Sequence, residues 1–292
     1  MATVVMIDGV IVAPHEAKVS VFDRGFLYGD SVFETIRTYG GEPFGLDAHL
    51  ERLARSAERV FIDLPAPLEQ IGEEVLQALR AARNPESYVR LMVTRGSGEL
   101  GLAPDLAKAP LRVVLVLPLN PPPAAAYEQG VSVVTFKTAR AADHTAASGA
   151  KVGNYLQSVL GMREAKRVGA NEALVVDAAG NVIEGTTSNV FAVLTGTLVT
   201  PPEEAGILAG ITRAGLLEAA AELGIPVEYR VLPLPELLGA EEVFISSSIR
   251  EVLPVVRVDD YVIGDGRPGS LTRALHARFR ENALGRAGAK SA

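Results

Sequence analysis

Three consecutive prolines, Pro121-Pro122-Pro123, interrupt this chain near its middle. Each lacks a backbone N–H and has a fixed φ, so neither a helix interior nor a central strand can run through them. Any core built before them must close without using that segment. The stretch from Asn120 to Gly130 reads as an interdomain linker, with a surface loop inside one domain as the other reading. On the linker reading, residues 1–119 form an N-terminal domain, 120–130 the linker and 131–292 a C-terminal domain. A chain of 292 residues is long enough for two modest cores.

Both halves mix strand and helix patterns, which predicts an α/β (α+β) fold. Val4 to Val12 reads as a hairpin turning at Asp8-Gly9. A loop at Asp23-Arg24-Gly25 precedes a strand ending near Arg37. Leu46, Leu50, Leu53, Ala57 and Val60 recur at helical spacing, with Asp47 as a candidate cap. Leu68 to Ala82 is a second amphipathic helix, and Tyr88 to Thr94 and Leu111 to Leu119 are strands. Beyond the prolines, strands are expected at 131–137, 227–231, 243–246 and 252–258, and two hairpins, one from Ala173 to Val176 turning through Asp177 to Asn181 and one from Val190 to Val199 turning at Thr195-Gly196. Helices are expected at about 154–168, 212–223 and 271–284, with Gly285 to Ala292 fraying.

Composition removes several function classes. Apolar residues make up 48% and charged residues 22%, a globular rather than disordered balance. The net charge of −7 comes without a basic block, so no nucleic-acid partner is expected. No cysteine is present, which excludes disulfides, thiolate metal sites and cysteine nucleophiles and fits a cytoplasmic protein. Met1 to Gly9 lacks a basic start and is broken by Asp8-Gly9, unlike a signal peptide. No apolar run is long enough to span a membrane, so no membrane partner is expected. The histidines His15, His49, His144 and His276 are scattered, which argues against a histidine metal site.

The residues with chemical potential lie in a few short runs. Lys151 follows Thr145-Ala146-Ala147-Ser148-Gly149-Ala150, where small side chains leave room for a cofactor ring. A lysine amine can condense with a carbonyl; a solvated lysine before a helix is the alternative. Glu184 opens Gly185-Thr186-Thr187-Ser188-Asn189, where a carboxylate could keep a pyridine nitrogen protonated or merely join two strands. Gly210-Ile211-Thr212 begins a helix whose unpaired amides suit an anion, or a helix capped by Thr212. Ser246-Ser247-Ser248 could add hydroxyl donors, and Arg52 lies beside the apolar stripe of the first helix.

Taken together, these runs resemble the fold-type IV (class IV) pyridoxal-phosphate enzymes, which group branched-chain aminotransferases, D-amino acid aminotransferases and aminodeoxychorismate lyases. The matching runs are YGDSVFETIR (28–37), HLERL (49–53), YVR (88–90), KVGNY (151–155), EGTTSNVF (184–191), GITR (210–213) and ISSSIREVLPV (245–255). The resemblance covers nearly the whole chain, from about residue 4 to 275. It implies an N-terminal α/β sandwich, a C-terminal α/β pseudo-barrel and pyridoxal 5'-phosphate at the domain interface. It implies that Lys151 is the Schiff-base lysine that also moves the Cα proton, and that Glu184 faces the pyridine nitrogen. Arg52, the amides of Ile211 and Thr212, and Ser248 would hold the phosphate, with Tyr155 near O3′. A homodimer or higher homo-oligomer is also implied.

Within the family, Tyr28, Phe33, Arg37, Arg90, Ile249 and Arg250 fall at substrate positions. Gly96 to Leu102 resembles the loop that branched-chain aminotransferases extend to a neighbouring subunit. D-amino acid aminotransferases typically carry an Arg-x-His pair in this region, yet no histidine occurs between His49 and His144. The lyases usually lack the tyrosine found at Tyr155. The four-residue step from Lys151 to Tyr155 is closer to the D-amino acid enzymes, and Arg250 stands where branched-chain enzymes tend to have a small residue. Arg250 would either favour a second substrate carboxylate or form an ion pair with Glu251 or a neighbour. The expected activity is ping-pong amino transfer between an aliphatic, branched-chain L-amino acid and 2-oxoglutarate. A D-amino acid aminotransferase and a pyridoxal-phosphate lyase are the alternatives.

Overall fold

The computed structural model describes residues 2–137 and 148–290. His144 and the Thr145-Ala146-Ala147 part of the small-residue run lie outside the described residues. By its contacts the chain forms two compact units. The first comprises Met1–Asn120, Ala150–Tyr155 and Ala283–Ala292; the second comprises Pro121–Gly149 and Leu156–Asn282.

The first unit is built on β1 (Val4–Ile7), β2 (Val10–Val12), α1 (Arg24–Tyr28), β3 (Ser31–Tyr39), β4 (Glu42–Pro43), α2 (Leu46–Arg59), α3 (Leu68–Ala82), β5 (Ser87–Thr94) and β6 (Leu111–Pro118). Its sheet has the order β2-β1-β6-β5-β3-β4. The helices α2 and α3 bury Leu46, Leu50, Leu53 and Ala57, and Ile71, Val75, Ala78 and Ala82. Steps of three and four keep each set on one stripe. These side chains pack with Val32 and Ile36 of β3, Val89, Leu91 and Val93 of β5, and Val114 and Val116 of β6. Asp8 and Gly9 both take positive φ, which closes the β1–β2 hairpin.

Two local expectations change here. Gly45, not Asp47, is the N-cap of α2; Asp47 sits in the first turn, where its charge suits the helix dipole. The segment after Asp23 is the short helix α1 rather than loop, capped by the Asp23 carboxylate on the Gly25 amide at 2.7 Å.

The second unit contains α4 (Ala124–Gln129), β7 (Val131–Lys137), α5 (Leu156–Arg167), β8 (Glu172–Val176), β9 (Asn181–Gly185), β10 (Asn189–Leu194), β11 (Thr197–Thr200), α6 (Ile211–Glu222), β12 (Val227–Tyr229), β13 (Leu232–Pro233), α7 (Leu234–Leu238), β14 (Glu242–Ser247), β15 (Glu251–Val258), β16 (Tyr261–Val262) and, up to Asn282, α8 (Ser270–Lys290). Pro123 is the N-cap of α4, so the third proline starts a helix that it could not continue. The sheet runs β12-β11-β10-β14-β15-β7-β8-β9-β13, with β16 paired to β15. In that order β9 and β10 stand five places apart, about 24 Å in a flat sheet. Only Thr186–Ser188 joins them, a span of roughly 10 Å, and the Gly185 amide bonds Ser188 O at 2.7 Å. The sheet must therefore curl round on itself, as a pseudo-barrel does.

Two expectations for this unit also change. Glu184 lies on strand β9, paired opposite Val175, and not in a connecting loop. The last helix runs to Lys290, past the expected end at Leu284, and no proline stops it there.

Candidate active site

In the first unit, the lysine segment behaves as an extra piece of strand. Val32 and Val152 form an antiparallel bridge, the Phe33 amide donates to Lys151 O at 3.0 Å, and the Gly153 amide donates to Ser31 O at 2.7 Å. From the helix side, Ser56 Oγ accepts from the Lys151 amide at 3.1 Å. Residues 150–155, distant in sequence, are thus fixed on β3 and α2. The side chain of Lys151 points its Nζ to Tyr155 Oη at 3.2 Å and lies over the Phe33 ring, 4.6 Å from the centroid. Tyr155 meets Phe33 edge-on, with centroids 5.1 Å apart. Arg90 also lies over Phe33, at 3.9 Å.

Alternation along β3 sorts its residues by face. Val32, Glu34 and Ile36 turn towards α2, while Phe33 and Arg37 turn the other way. Glu34 is fully buried and meets α2 through two side chains. Arg52 binds it with both arms, Nε to Oε1 at 2.8 Å and Nη2 to Oε2 at 2.6 Å. His49 Nδ1 lies 2.7 Å from Oε2 and must donate, since an ionised carboxylate only accepts. Burial alone would raise the Glu34 pKa, but hydrogen bonds and charge from Arg52, then from His49, hold it at about 2. Burial also depresses His49, with Glu34 pulling against it. The cluster therefore carries a neutral imidazole and one arginine–carboxylate pair.

The other substrate candidates of this unit, Arg37 and Tyr28, have further partners. Arg37 is buried over the Tyr39 ring at 4.3 Å. Tyr28 stands at the end of α1, where its Oη accepts from the Gly101 amide at 3.3 Å. That contact belongs to the 96–102 loop, which Arg24 also holds through Gly101 O at 2.7 Å and Leu102 O at 3.2 Å.

In the second unit, Glu184 Oε2 accepts from the Leu208 amide at 3.1 Å. Asn189 Nδ2 donates to Leu208 O at 2.8 Å, so both side chains hold the approach to α6. Gly210, not Thr212, is the N-cap and offers no side chain to the first-turn amides of Ile211 and Thr212. A Cβ on Gly210 would stand 2.1 Å from Asn189 Oδ1, which explains glycine there. The hydroxyls of Ser188 and Ser246 are buried without a hydrogen-bond partner among the described residues. Ser248 and Ile249 follow β14 in the turn that leads to β15. Arg250, in the same turn, forms an ion pair with Glu172 and donates to Thr187 Oγ1 at 2.8 Å.

Sequence reading did not single out Glu34, His49, Ser56 or Glu172. The signal for the first three was available: Glu34 sits inside the YGDSVFETIR run, and His49, Arg52 and Ser56 share one face of a helix at steps of three and four. Glu172 had no comparable signal, since its burial depends on partners brought from other segments.

The first unit presents the Lys151 amine on a segment fixed to β3 and α2, and the second presents a strand-borne carboxylate, Glu184, and an uncapped helix start. The chain belongs to the class IV aminotransferases: the family model "Amino-transferase class IV" matches residues 31–258. A relative from Methanocaldococcus jannaschii, provisionally named a branched-chain-amino-acid aminotransferase, is 39% identical over 277 residues, covering 95% of each chain. The D-alanine aminotransferase of Bacillus licheniformis is 32% identical over 280 residues, covering 96% of this chain and 97% of its own. The solved branched-chain amino acid aminotransferase of Escherichia coli has a TM-score of 0.92 at 33% identity, over 97% of this chain and 95% of that one.

Proposed function

We propose that this aminotransferase moves an amino group between an aliphatic, branched-chain L-amino acid and 2-oxoglutarate in two half-reactions. The observation that carries the reading is the Lys151 amine, held over Phe33 beside Tyr155 Oη with its backbone fixed to β3 and α2. An amine so fixed can swing at Nζ without moving its main chain. The names of the relatives support branched-chain substrates, and the apolar Phe33 beside the Arg90 cation suits an aliphatic side chain next to an anionic group.

Pyridoxal 5'-phosphate is the cofactor this reading requires, and the donor set fits it. Lys151 supplies an amine for the aldehyde and Glu184 a carboxylate for the pyridine nitrogen. Ile211 and Thr212 supply uncapped amides for a phosphate, Ser248 a hydroxyl, and Arg52 a positive charge whose Nε and Nη2 are held by Glu34. The two buried serine hydroxyls without partners fit a site built to meet polar atoms from outside the chain. When bound, the cofactor supplies an electron sink for the charge left at Cα. Lys151 takes and returns the Cα proton, Tyr155 orients the amine, and Glu184 presents its carboxyl group from strand β9.

Lys151→Ala should remove both turnover and the visible absorption band of the bound cofactor. Full activity in that variant would sink the assignment. For the substrate, the cofactor-loaded enzyme is titrated separately with L-leucine, L-glutamate and D-alanine. The proposal expects the first two to bleach the band and D-alanine to leave it. A second reading, D-amino acid transfer, is favoured by the four-residue Lys151–Tyr155 step and the Bacillus licheniformis relative; bleaching by D-alanine alone would establish it. We also propose that the enzyme is a homodimer.

A further inference from the structure

We propose that Arg250 is a positioning residue: with the buried Glu172 it latches the Ser247–Glu251 turn onto the Thr186–Thr187 turn. This rests on the cofactor reading above, because Ser248 belongs to the first turn and Glu184 lies just before the second.

Glu172 begins β8 and is fully buried. It accepts from Thr186 Oγ1, from the Thr187 amide at 3.1 Å and from Thr187 Oγ1 at 3.1 Å. Its remaining partner is the Arg250 guanidinium, which also reaches Thr187 Oγ1. A buried carboxylate with one cation for a partner depends on it, since removal of that cation strands a charge away from water.

The backbone beneath Arg250 is held from the other side. Its carbonyl accepts from Tyr127 Oη at 3.1 Å, and its amide lies 3.4 Å from Ser247 Oγ. Tyr127 stacks on His276, with centroids 5.2 Å apart. His276 Nε2 in turn meets Glu251 at 2.7 Å, and Arg280 stands 3.7 Å from the same carboxylate. Glu251 has φ 55°, a conformation unfavourable for a residue with a Cβ, and its buried carboxylate is what those contacts hold in place. The turn is therefore fastened by Arg250 at one end and by α4 and α8 at the other. Arg250 commits its charge to Glu172, so it is a strut and not a receptor for a second substrate carboxylate.

The test is a cycle of Arg250→Met, Glu172→Gln and the double variant, with Arg250→Lys as the conservative control. Three readouts are taken: melting of the apo-protein, titration with pyridoxal 5'-phosphate, and kcat/KM for L-leucine and L-glutamate. Arg250→Met is expected to weaken cofactor binding about tenfold and to lower kcat/KM for both amino acids by a common factor. The double variant should recover most of each loss, since it leaves no stranded charge, and Arg250→Lys should fall between. Additive losses would overturn the latch. So would a KM increase confined to L-glutamate, which would make Arg250 a carboxylate receptor. If the wild-type apo-protein failed to bind the cofactor, the cofactor reading would fall; apo-protein melting would still decide the latch by its additivity.

Discussion

Glu34 shows how one buried carboxylate can set the behaviour of its neighbours. Its pKa is held at about 2 against an ordinary 4.5, despite burial that acts to raise it. A depressed folded-state pKa contributes stability that is fully present above the unfolded value and is lost as pH falls through the folded one. The window is therefore from about 4.5 down to about 2, and the shift corresponds to something on the order of 3 kcal/mol. His49, depressed mainly by burial, acts with the same sign from its own unfolded value of 6.5 downwards. Glu34→Gln should flatten the acid limb of the stability curve, measured by urea unfolding at a series of pH values. It should also weaken cofactor binding at neutral pH, because Arg52 loses its charged partner. An unchanged acid limb would show that Arg52 and His49 do not depend on that charge.

At the scale of elements, the lysine segment owes its position to a glycine. A Cβ at Gly153 would stand 2.1 Å from Ser31 Oγ, with Gly29 O next at 3.3 Å. Gly153→Ala should push Val152 and Lys151 off the edge of β3, costing about 1–3 kcal/mol as an overpacked contact. Adding Ser31→Ala removes the nearest atom and should restore most of the melting temperature and the cofactor band. If the double variant is no better than the single, the contact is not what fixes the lysine. This element also marks where sequence reading stops. The stripes of α2 and α3, the Asp8-Gly9 hairpin and the strand at Val131–Lys137 were legible because local spacing or turn chemistry specifies them. The short helices α1 and α4 were not, since five or six residues cannot display a helical period. Strand β9 was obscured by the hydroxyl-rich turn after Glu184. Lys151 itself could be read from its motif, but its docking on β3 could not, because that bridge joins residues far apart in sequence. The carboxylates of Glu34 and Glu172 were hidden for the same reason: composition favours exposed acids, and only tertiary partners make burial of one tolerable.

At the scale of the whole molecule, the first unit presents an apolar surface that is exposed among the described residues. Phe26 is 68% exposed and Leu102 78%, and Phe22 and Leu100 are exposed with them. These side chains come from two segments tied together: Gly98 N bonds Phe22 O at 3.3 Å, and Arg24 holds the carbonyls of Gly101 and Leu102. Arg24 is itself paired with Asp30, which Arg95 also grips, so the loop is braced and not loose. An ordered, exposed apolar patch marks a surface that docks against something. A second copy of the chain is the occupant that the homodimer proposal supplies, with about 800 Å² covered on each partner in a stable assembly. Light scattering during size exclusion should give twice the chain mass at micromolar concentration. Leu102→Asp combined with Phe26→Asp should shift the mass towards the monomer, since each places a carboxylate where apolar surface must be buried. The melting temperature of the wild type should rise with protein concentration, and that of the double variant should not. A wild-type mass of one chain at every concentration tested would refute the homodimer, whatever the variants do.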